Sequence, residues 1–161
     1  MEQGVASDMS ILESIKTGFE LESLDLKRYS PLSLAFIGDS VFDLVVKTVM
    51  VEKANCPANV LHKRTSAIVK AESQSKMAQW YLDNDILSDE EHDIYRRGRN
   101  AKSATTAKNA SVSDYRRATG IEALVGYLYL TGKTDRIVEL IRIGMEAVGA
   151  PVCKKPDDLR T

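Results

Sequence analysis

Residues 33–43 read SLAFIGDSVFD, and this stretch decides the fold that we expect for the chain. Its apolar residues have helical spacing, yet Gly38 and Asp39 stand among them. A glycine costs a helix interior about 1 kcal/mol relative to alanine, and a carboxylate on an apolar face costs more unless it has a partner. We therefore expect a long helix that a second helix approaches closely at Gly38, and a bound partner at Asp39.

The flanking residues predict where this helix begins and ends. Ser30 followed by Pro31 is typical of an N-cap and a first helical residue. The helix should therefore begin at Pro31 and run to about Lys53, because Pro57 stands shortly after it. Its apolar residues include Leu32, Phe36, Val41, Leu44 and Val45.

Helical patterns recur along the rest of the chain. They predict helices near residues 11–15, over residues 58–82 and 89–98, around residues 121–128 and around residues 137–141. The predicted caps are Ser88 (in a capping box with Glu91), Ser113 and Thr134. Trp80 is expected in the core, and residues 99–111 read as a polar loop. No segment has the period of two of a strand, so we predict an all-α fold of about six or seven helices.

The length of 161 residues suits one compact domain. We expect an N-terminal extension with a short helix at residues 1–24, the folded domain at residues 25–150 and a loose tail at residues 151–161. The sequence shows no signal peptide and no apolar stretch long enough to cross a bilayer, so a cytoplasmic protein without a membrane partner is predicted. The two cysteines match no zinc spacing and are expected to be reduced.

Basic residues are concentrated in one segment, although the net charge of the whole chain is −1. Residues 96–117 contain seven Lys or Arg and only one acid, Asp114. Such a cluster, interleaved with Asn, Ser and Thr, is typical of contacts to phosphate and sugar. The candidate nucleic-acid-binding residues are Arg96, Arg97, Arg99, Asn100, Lys102 and Lys108. A solvated surface loop would carry the same charges.

A second acid, Glu122, stands in the apolar helical stretch ATGIEALVGYLYL, residues 118–130. If its helix packs on the helix of Asp39, two buried carboxylates converge and repel each other unless a cation intervenes. Mg²⁺ suits such a point because it takes one or two protein carboxylates and completes its shell with water and phosphate. Each acid alone could instead be exposed or paired with arginine. The chain has no nucleotide-binding glycine loop, no G-x-S-x-G and no pair of metal-binding histidines.

Three stretches of this sequence resemble one known family. LSLAFIGDSVFDL (residues 32–44) resembles the signature helix of ribonuclease III catalytic domains, and ATGIEALVGYLYLTGK (residues 118–133) resembles their second acidic helix. The spacer RRGRNAKSATTAKN (residues 96–109) is similar to the bacterial Mini-ribonuclease III subfamily, which lacks a double-stranded-RNA-binding domain. The resemblance covers roughly residues 25–148.

This resemblance implies an all-α endonuclease that acts as a homodimer, with two active sites along one cleft for double-stranded RNA. It implies Mg²⁺-dependent hydrolysis that leaves 5′-phosphate and 3′-hydroxyl ends. It also implies maturation of the large-subunit (23S) ribosomal RNA precursor in the cytoplasm. Whether a ribosomal protein presents that substrate stays open.

Matching positions carry the family's residues over. Asp39 and Glu122 fall on metal-binding catalytic acids, and Phe36 falls on an aromatic residue that contacts the partner subunit. Two further family acids are replaced by Ala35 and Thr119. We therefore expect one well-held Mg²⁺ at each site, with any second ion held mainly by RNA phosphates.

Two other functions remain open from the sequence. One is an RNA-binding module of ribosome assembly with the same fold and no catalysis, which Ala35 and Thr119 favour but the retained Asp39 and Glu122 oppose. The other is a helical protein-interaction domain with no nucleic-acid role, which the basic segment opposes.

Overall fold

The computed structural model describes residues 9–23, 25–53, 56–102 and 111–150. Those residues form seven α-helices and one 3₁₀ turn, and none of them is in a strand. The helices are α1 (Ile11–Gly18), α2 (Pro31–Lys53), α3 (Ala58–Val69), α4 (Ala71–Asp83), α5 (Asp89–Asn100), α6 (Val112–Leu130) and α7 (Thr134–Ala147). The predicted all-α fold is confirmed.

Helix α2 begins and ends where the sequence predicted. The Ser33 backbone N–H donates to the Ser30 hydroxyl oxygen at 3.1 Å, which caps the helix, and Pro31 is its first residue.

Helix α2 crosses α6 at two glycines. A Cβ atom on Gly38 would lie 1.7 Å from the carbonyl oxygen of Glu122, and one on Gly126 would lie 2.0 Å from that of Leu34. The two backbones can approach this closely only because neither glycine has a side chain, as predicted for Gly38.

The core lies between α2 and α6 in the centre and the helices packed around them. Helix α2 buries one face, with residues four apart: Leu34, Gly38, Phe42, Val46 and Met50. Some of its other apolar residues lie on the opposite face, because positions four apart share one side of a helix. Leu32, Phe36 and Leu44 are therefore exposed although they belong to the same apolar run.

The single helix predicted over residues 58–82 is wrong, because α3 and α4 are separate helices. Lys70 between them has extended backbone, with ψ of 152°. Two side chains of α4 satisfy carbonyl groups at the end of α3: the Ser73 hydroxyl donates to Ala67 at 2.6 Å and the Gln74 amide donates to Val69 at 2.9 Å. These hydrogen bonds replace those that a continuous helix would have made.

Smaller differences affect the other helix ends. The capping box of Ser88 and Glu91 forms as predicted, but α5 continues to Asn100. The cap of α6 is Ser111, not Ser113, since the Asp114 N–H donates to the Ser111 hydroxyl oxygen at 3.0 Å. Thr134 is the first residue of α7 and not its cap.

One ion pair joins the beginning of α5 to α7. The Arg136 guanidinium donates to both carboxylate oxygens of Glu91, at 2.9 and 2.8 Å, and to the Ile86 carbonyl at 2.7 Å. Glu91 is buried and also accepts the Ser88 N–H at 2.9 Å. Both oxygens of this carboxylate therefore have a donor from within the chain.

A search of the described helices for a membrane-crossing segment, one both long and apolar, finds none.

Candidate active site

The crossing of α2 and α6 brings the two predicted acids to one place. Asp39 directly follows Gly38. The atom nearest to a Cβ placed on Gly38 would be the backbone oxygen of Glu122 itself. Glu122 is half-buried, but Asp39 is exposed. The expectation that both acids are buried is therefore wrong for Asp39, which is one residue, or about 100°, further around α2 than the buried Gly38.

The surroundings of both carboxylates affect their ionisation. Burial raises the pKa of Glu122 to about 8, and the negative charge of Asp39 contributes further to that rise. Burial also raises the pKa of Asp39, followed by the charge of Asp43. Both acids are thus held in an environment that disfavours their charged forms, and a nearby cation would relieve this.

The donor set fits one hard cation. Two carboxylates from two facing helices, one of them open to solvent, are what Mg²⁺ uses when it keeps several waters. Within the described ranges, three or more His, Cys, Asp or Glu never come together as metal ligands would. Ala35 is buried and has no oxygen to offer, and the Thr119 hydroxyl donates to the Tyr115 carbonyl at 2.9 Å. The site therefore suits one cation between Asp39 and Glu122 better than two cations held by protein.

Gln74 is a site residue that the sequence did not reveal. Its side chain is 1% exposed, and its Nε2 lies 3.4 Å from Glu122 Oε1. This amide hydrogen bond lowers the pKa of Glu122 and so opposes the effect of burial. In the sequence, Gln74 looked like an ordinary polar residue of one long helix, and no motif marked it.

The basic end of α5 lies beside the helix of Glu122. A Cβ atom on Gly98 would meet the Ala123 side chain at 2.6 Å, so α5 and α6 touch there. Arg97 and Arg99 flank Gly98, and Glu122 precedes Ala123. The close packing of small residues thus brings the arginine-bearing end of α5 against the helix that carries Glu122.

The predicted nucleic-acid-binding residues differ in how firmly the chain itself holds them. Arg96 pairs with Asp93 at 2.6 Å. Arg99 donates from Nε to Asn100 Oδ1 at 3.3 Å, and its guanidinium lies 5.8 Å from the centroid of the Tyr95 ring.

Three candidate residues of the basic segment remain. Arg97 and Lys102 are exposed. Across the described residues, neither has an ion pair or a side-chain hydrogen bond, so both charges are available to an outside anion. Lys108 lies outside the described residues.

The aromatic residues divide into two groups, and Trp80, which was expected in the core, is not buried. Phe42, Tyr81 and Tyr95 are buried, but Trp80 is 45% exposed and Phe36 is 82% exposed. Phe36 therefore does not contribute to the core of this chain. With Leu32 and Leu44 it forms an exposed apolar row on α2.

Comparison with known proteins gives consistent matches to one family. A sequence profile of the Ribonuclease III domain matches residues 32–133. Mini-ribonuclease 3 of Thermoanaerobacter sp. (strain X514) is 48% identical over 119 residues, which are 74% of this chain and 82% of that protein. Mini-ribonuclease 3 of Clostridium tetani is 43% identical over 130 residues, covering 78% of this chain and 83% of that protein.

A solved structure supports the same relationship. A crystal structure of a protein from Fusobacterium nucleatum matches with a TM-score of 0.68 at 31% identity, covering 77% of this chain and 98% of that one. The matched profile includes the glycine crossing, both acids and the basic end of α5. The chain belongs to the ribonuclease III family, within its Mini-ribonuclease III group, and is an endoribonuclease.

Proposed function

We propose that this endoribonuclease is Mg²⁺-dependent, cleaves double-stranded RNA and leaves 5′-phosphate and 3′-hydroxyl ends. One observation carries the proposal: Glu122 is half-buried at the glycine crossing, where burial and the charge of Asp39 both disfavour its charged form, and no ion pair with a described residue offsets this. Family membership supports the substrate and the products. The catalytic unit is residues 25–150.

The proposed roles of the chain's own residues follow from their surroundings. Asp39 and Glu122 hold the Mg²⁺, which, when bound, acidifies water and offsets charge on the phosphoryl oxygens. Glu122 supplies a half-buried ligand from α6, and Asp39 supplies one from the solvent side of α2. This difference leaves the open side of the site to RNA and water.

The basic end of α5 holds the duplex by its phosphates. Arg97 and Lys102 supply charges that no described residue pairs with, and Arg96, Arg99 and Asn100 extend the same surface. Lys108, outside the described residues, is proposed to take part as well. A-form RNA presents its shape, phosphates and 2′-hydroxyls rather than its base edges, so these contacts are expected to be largely independent of sequence.

We also propose a homodimer whose subunits meet at the exposed apolar row of Leu32, Phe36 and Leu44. The support is the 82% exposure of Phe36 in the single chain together with family membership. Light scattering of Phe36→Asp tests this: loss of the dimer is expected, whereas the same substitution at Trp80, an exposed aromatic on α4, leaves it intact.

The biological substrate in this proposal is the large-subunit (23S) ribosomal RNA precursor in the cytoplasm, with a ribosomal protein able to present it. The support is membership of the Mini-ribonuclease III group. Mapping of cleavage ends on the precursor, with and without ribosomal proteins, tests this part separately from the chemistry.

A second function, RNA binding without catalysis in ribosome assembly, is favoured by one observation. Ala35 and Thr119 offer no carboxylate to the site. The deciding experiment incubates the protein with a long RNA duplex in Mg²⁺ and in EDTA. Cleavage in Mg²⁺ alone, with 5′-phosphate ends, supports the nuclease, and duplex binding without cleavage of either the duplex or the natural precursor supports the binding module.

A further inference from the structure

Gln74 connects the acidic site to the junction between α3 and α4. Its Nε2 group donates to the Val69 carbonyl at 2.9 Å and lies 3.4 Å from Glu122 Oε1. Val69 is the last residue of α3, and Gln74 is in the first turn of α4. One amide therefore joins the end of one helix to the carboxylate of another.

Chemistry determines the orientation of this amide. The Val69 carbonyl can only accept, and the Nε2 group that donates to it is the one that lies near Glu122 Oε1. A flipped amide would direct its oxygen at the Val69 carbonyl oxygen and lose that hydrogen bond. The N–H side of Gln74 must therefore face Glu122.

The opposite side of the same amide lacks a partner. Gln74 Oε1 is buried and accepts no hydrogen bond from the described residues. A buried acceptor without a donor destabilises a folded chain, and an apolar side chain of similar size would avoid that cost. An apolar side chain would, however, also lose the hydrogen bond to Val69, so stability accounts for the contact of this amide with α3 but not for its contact with Glu122.

We propose that Gln74 is a positioning residue for RNA cleavage, which holds the Glu122 carboxylate in the orientation in which it and Asp39 share a cation. This inference rests on the proposed function of that site. The role matters more in this chain because Ala35 and Thr119 supply no carboxylate, and the described residues bring no third ligand of this kind to Asp39 and Glu122. Residues that orient metal ligands typically contribute 10-fold to 100-fold to metal affinity or activity.

Gln74→Met tests the proposal, because methionine keeps the size of the side chain and removes the amide. Two changes are expected: Mn²⁺ binding by the RNA-free protein, measured from its stabilisation in thermal unfolding, weakens about 10-fold or more, and kcat falls by a similar factor. KM for the RNA duplex is expected to stay the same, because the Gln74 side chain is buried and offers no surface to RNA. A merely structural residue would lower thermal stability and leave Mn²⁺ affinity unchanged.

Gln79→Met is the matched control. Gln79 is on the same helix but exposed, and its amide donates to Asp83 at 2.7 Å. The control is expected to bind Mn²⁺ and cleave RNA like the unchanged protein. Gln74→Asn, measured in parallel, keeps an amide on a side chain that is one methylene shorter. It is expected to weaken Mn²⁺ binding and lower kcat in the same way, and it serves as the test if the methionine variant does not fold.

The Glu122→Gln background separates failure of this inference from failure of the proposed function. If Gln74 acts through Glu122, adding Gln74→Met to Glu122→Gln weakens Mn²⁺ binding no further. A Glu122→Gln variant with normal cleavage would overturn the proposed site, and this inference with it. An inactive Glu122→Gln variant beside a folded Gln74→Met variant with normal Mn²⁺ affinity and kcat would overturn the role of Gln74 alone.

Discussion

Two glutamates on packed helices, Glu91 on α5 and Glu122 on α6, are treated in opposite ways by the same chain. Burial alone would raise the pKa of Glu91, but hydrogen bonds from Arg136 and Ser88 lower it below its usual range. Burial and the charge of Asp39 raise the pKa of Glu122 to about 8. The first acid is fully satisfied from within the chain and serves the fold. The second lacks a cation within the described chain, which is the property expected of an acid that binds something else.

The largest expected effect is on cleavage by Glu122→Gln. Loss of a metal-binding carboxylate should slow single-turnover cleavage of an RNA duplex at least about 1,000-fold, which corresponds to about 4 kcal/mol. Above about pH 8 the folded state should be at least as stable as before in the absence of metal, because the neutral amide replaces a carboxylate whose charged form the site disfavours. Glu72→Gln, at an exposed acid of α4, is the control. Cleavage by Glu122→Gln at a rate within a factor of three of the unchanged protein would contradict the catalytic role assigned to Glu122.

Arg136→Met should show the opposite pattern. It leaves Glu91 buried without its donor, which is expected to cost about 3 kcal/mol of unfolding free energy in urea, while the folded fraction keeps its cleavage rate. Arg142→Met is the matched control: that arginine forms an exposed pair with Glu146 at 3.3 Å, and its loss should cost less than about 1 kcal/mol. Equal effects of the two variants would contradict the structural role assigned to Glu91.

The stability of the metal-free protein should depend on pH with opposite signs for the two acids. Because the folded pKa of Glu122 is about 8 against an ordinary 4.5, the folded state binds the extra proton between these values. Its contribution is therefore present at low pH and lost as pH rises through about 8, at roughly 1 kcal/mol per pH unit. Glu91 has a lowered pKa in the folded state, so it stabilises that state at pH values above its ordinary pKa. This stabilisation is lost as the pH falls.

Denaturant unfolding across this pH range checks the prediction. Glu122→Gln should remove the fall in stability between about pH 5 and 8. Saturating Mg²⁺ should also remove this fall in stability in the unchanged protein. If the unfolding free energy of Glu122→Gln still decreases over this pH range, another group causes the decrease.

The smallest expected effects concern the basic end of α5. Arg97→Ala and Lys102→Ala should each weaken duplex binding without changing the preference for one sequence over another. Each should reduce the slope of log affinity against log salt by about 1. Arg142→Ala serves as the control, because Arg142 lies beside Lys53 at the far end of α2. If the salt slopes of Arg97→Ala and Lys102→Ala were unchanged, the basic end of α5 would not bind the RNA.

Local sequence signals predicted much of the fold and part of the site. The bounds of α2 follow from Ser30, Pro31 and the breaker after Lys53, and the close helix approach follows from a glycine in an apolar run. These features depend on a few neighbouring residues, so a pattern can reveal them. The candidate acids were found in the same way, because each interrupts an apolar helix.

What the sequence did not predict depends on contacts between elements. The break at Lys70 is stabilised by side chains of Ser73 and Gln74, which are equally compatible with a helix interior. The exposure of Asp39 depends on which face of α2 meets α6. Gln74 became visible as a site residue only when folding brought it beside Glu122, which is 48 positions away in the chain.

The most direct test of the central claim is to locate Mn²⁺ in crystals of the protein by anomalous diffraction. The account predicts one strong peak within coordination distance of both the Asp39 and the Glu122 carboxylates, and its loss in Glu122→Gln. Crystals of protein that cleaves RNA with Mn²⁺, but that show no peak between these two acids or bind the ion at other residues, would contradict it.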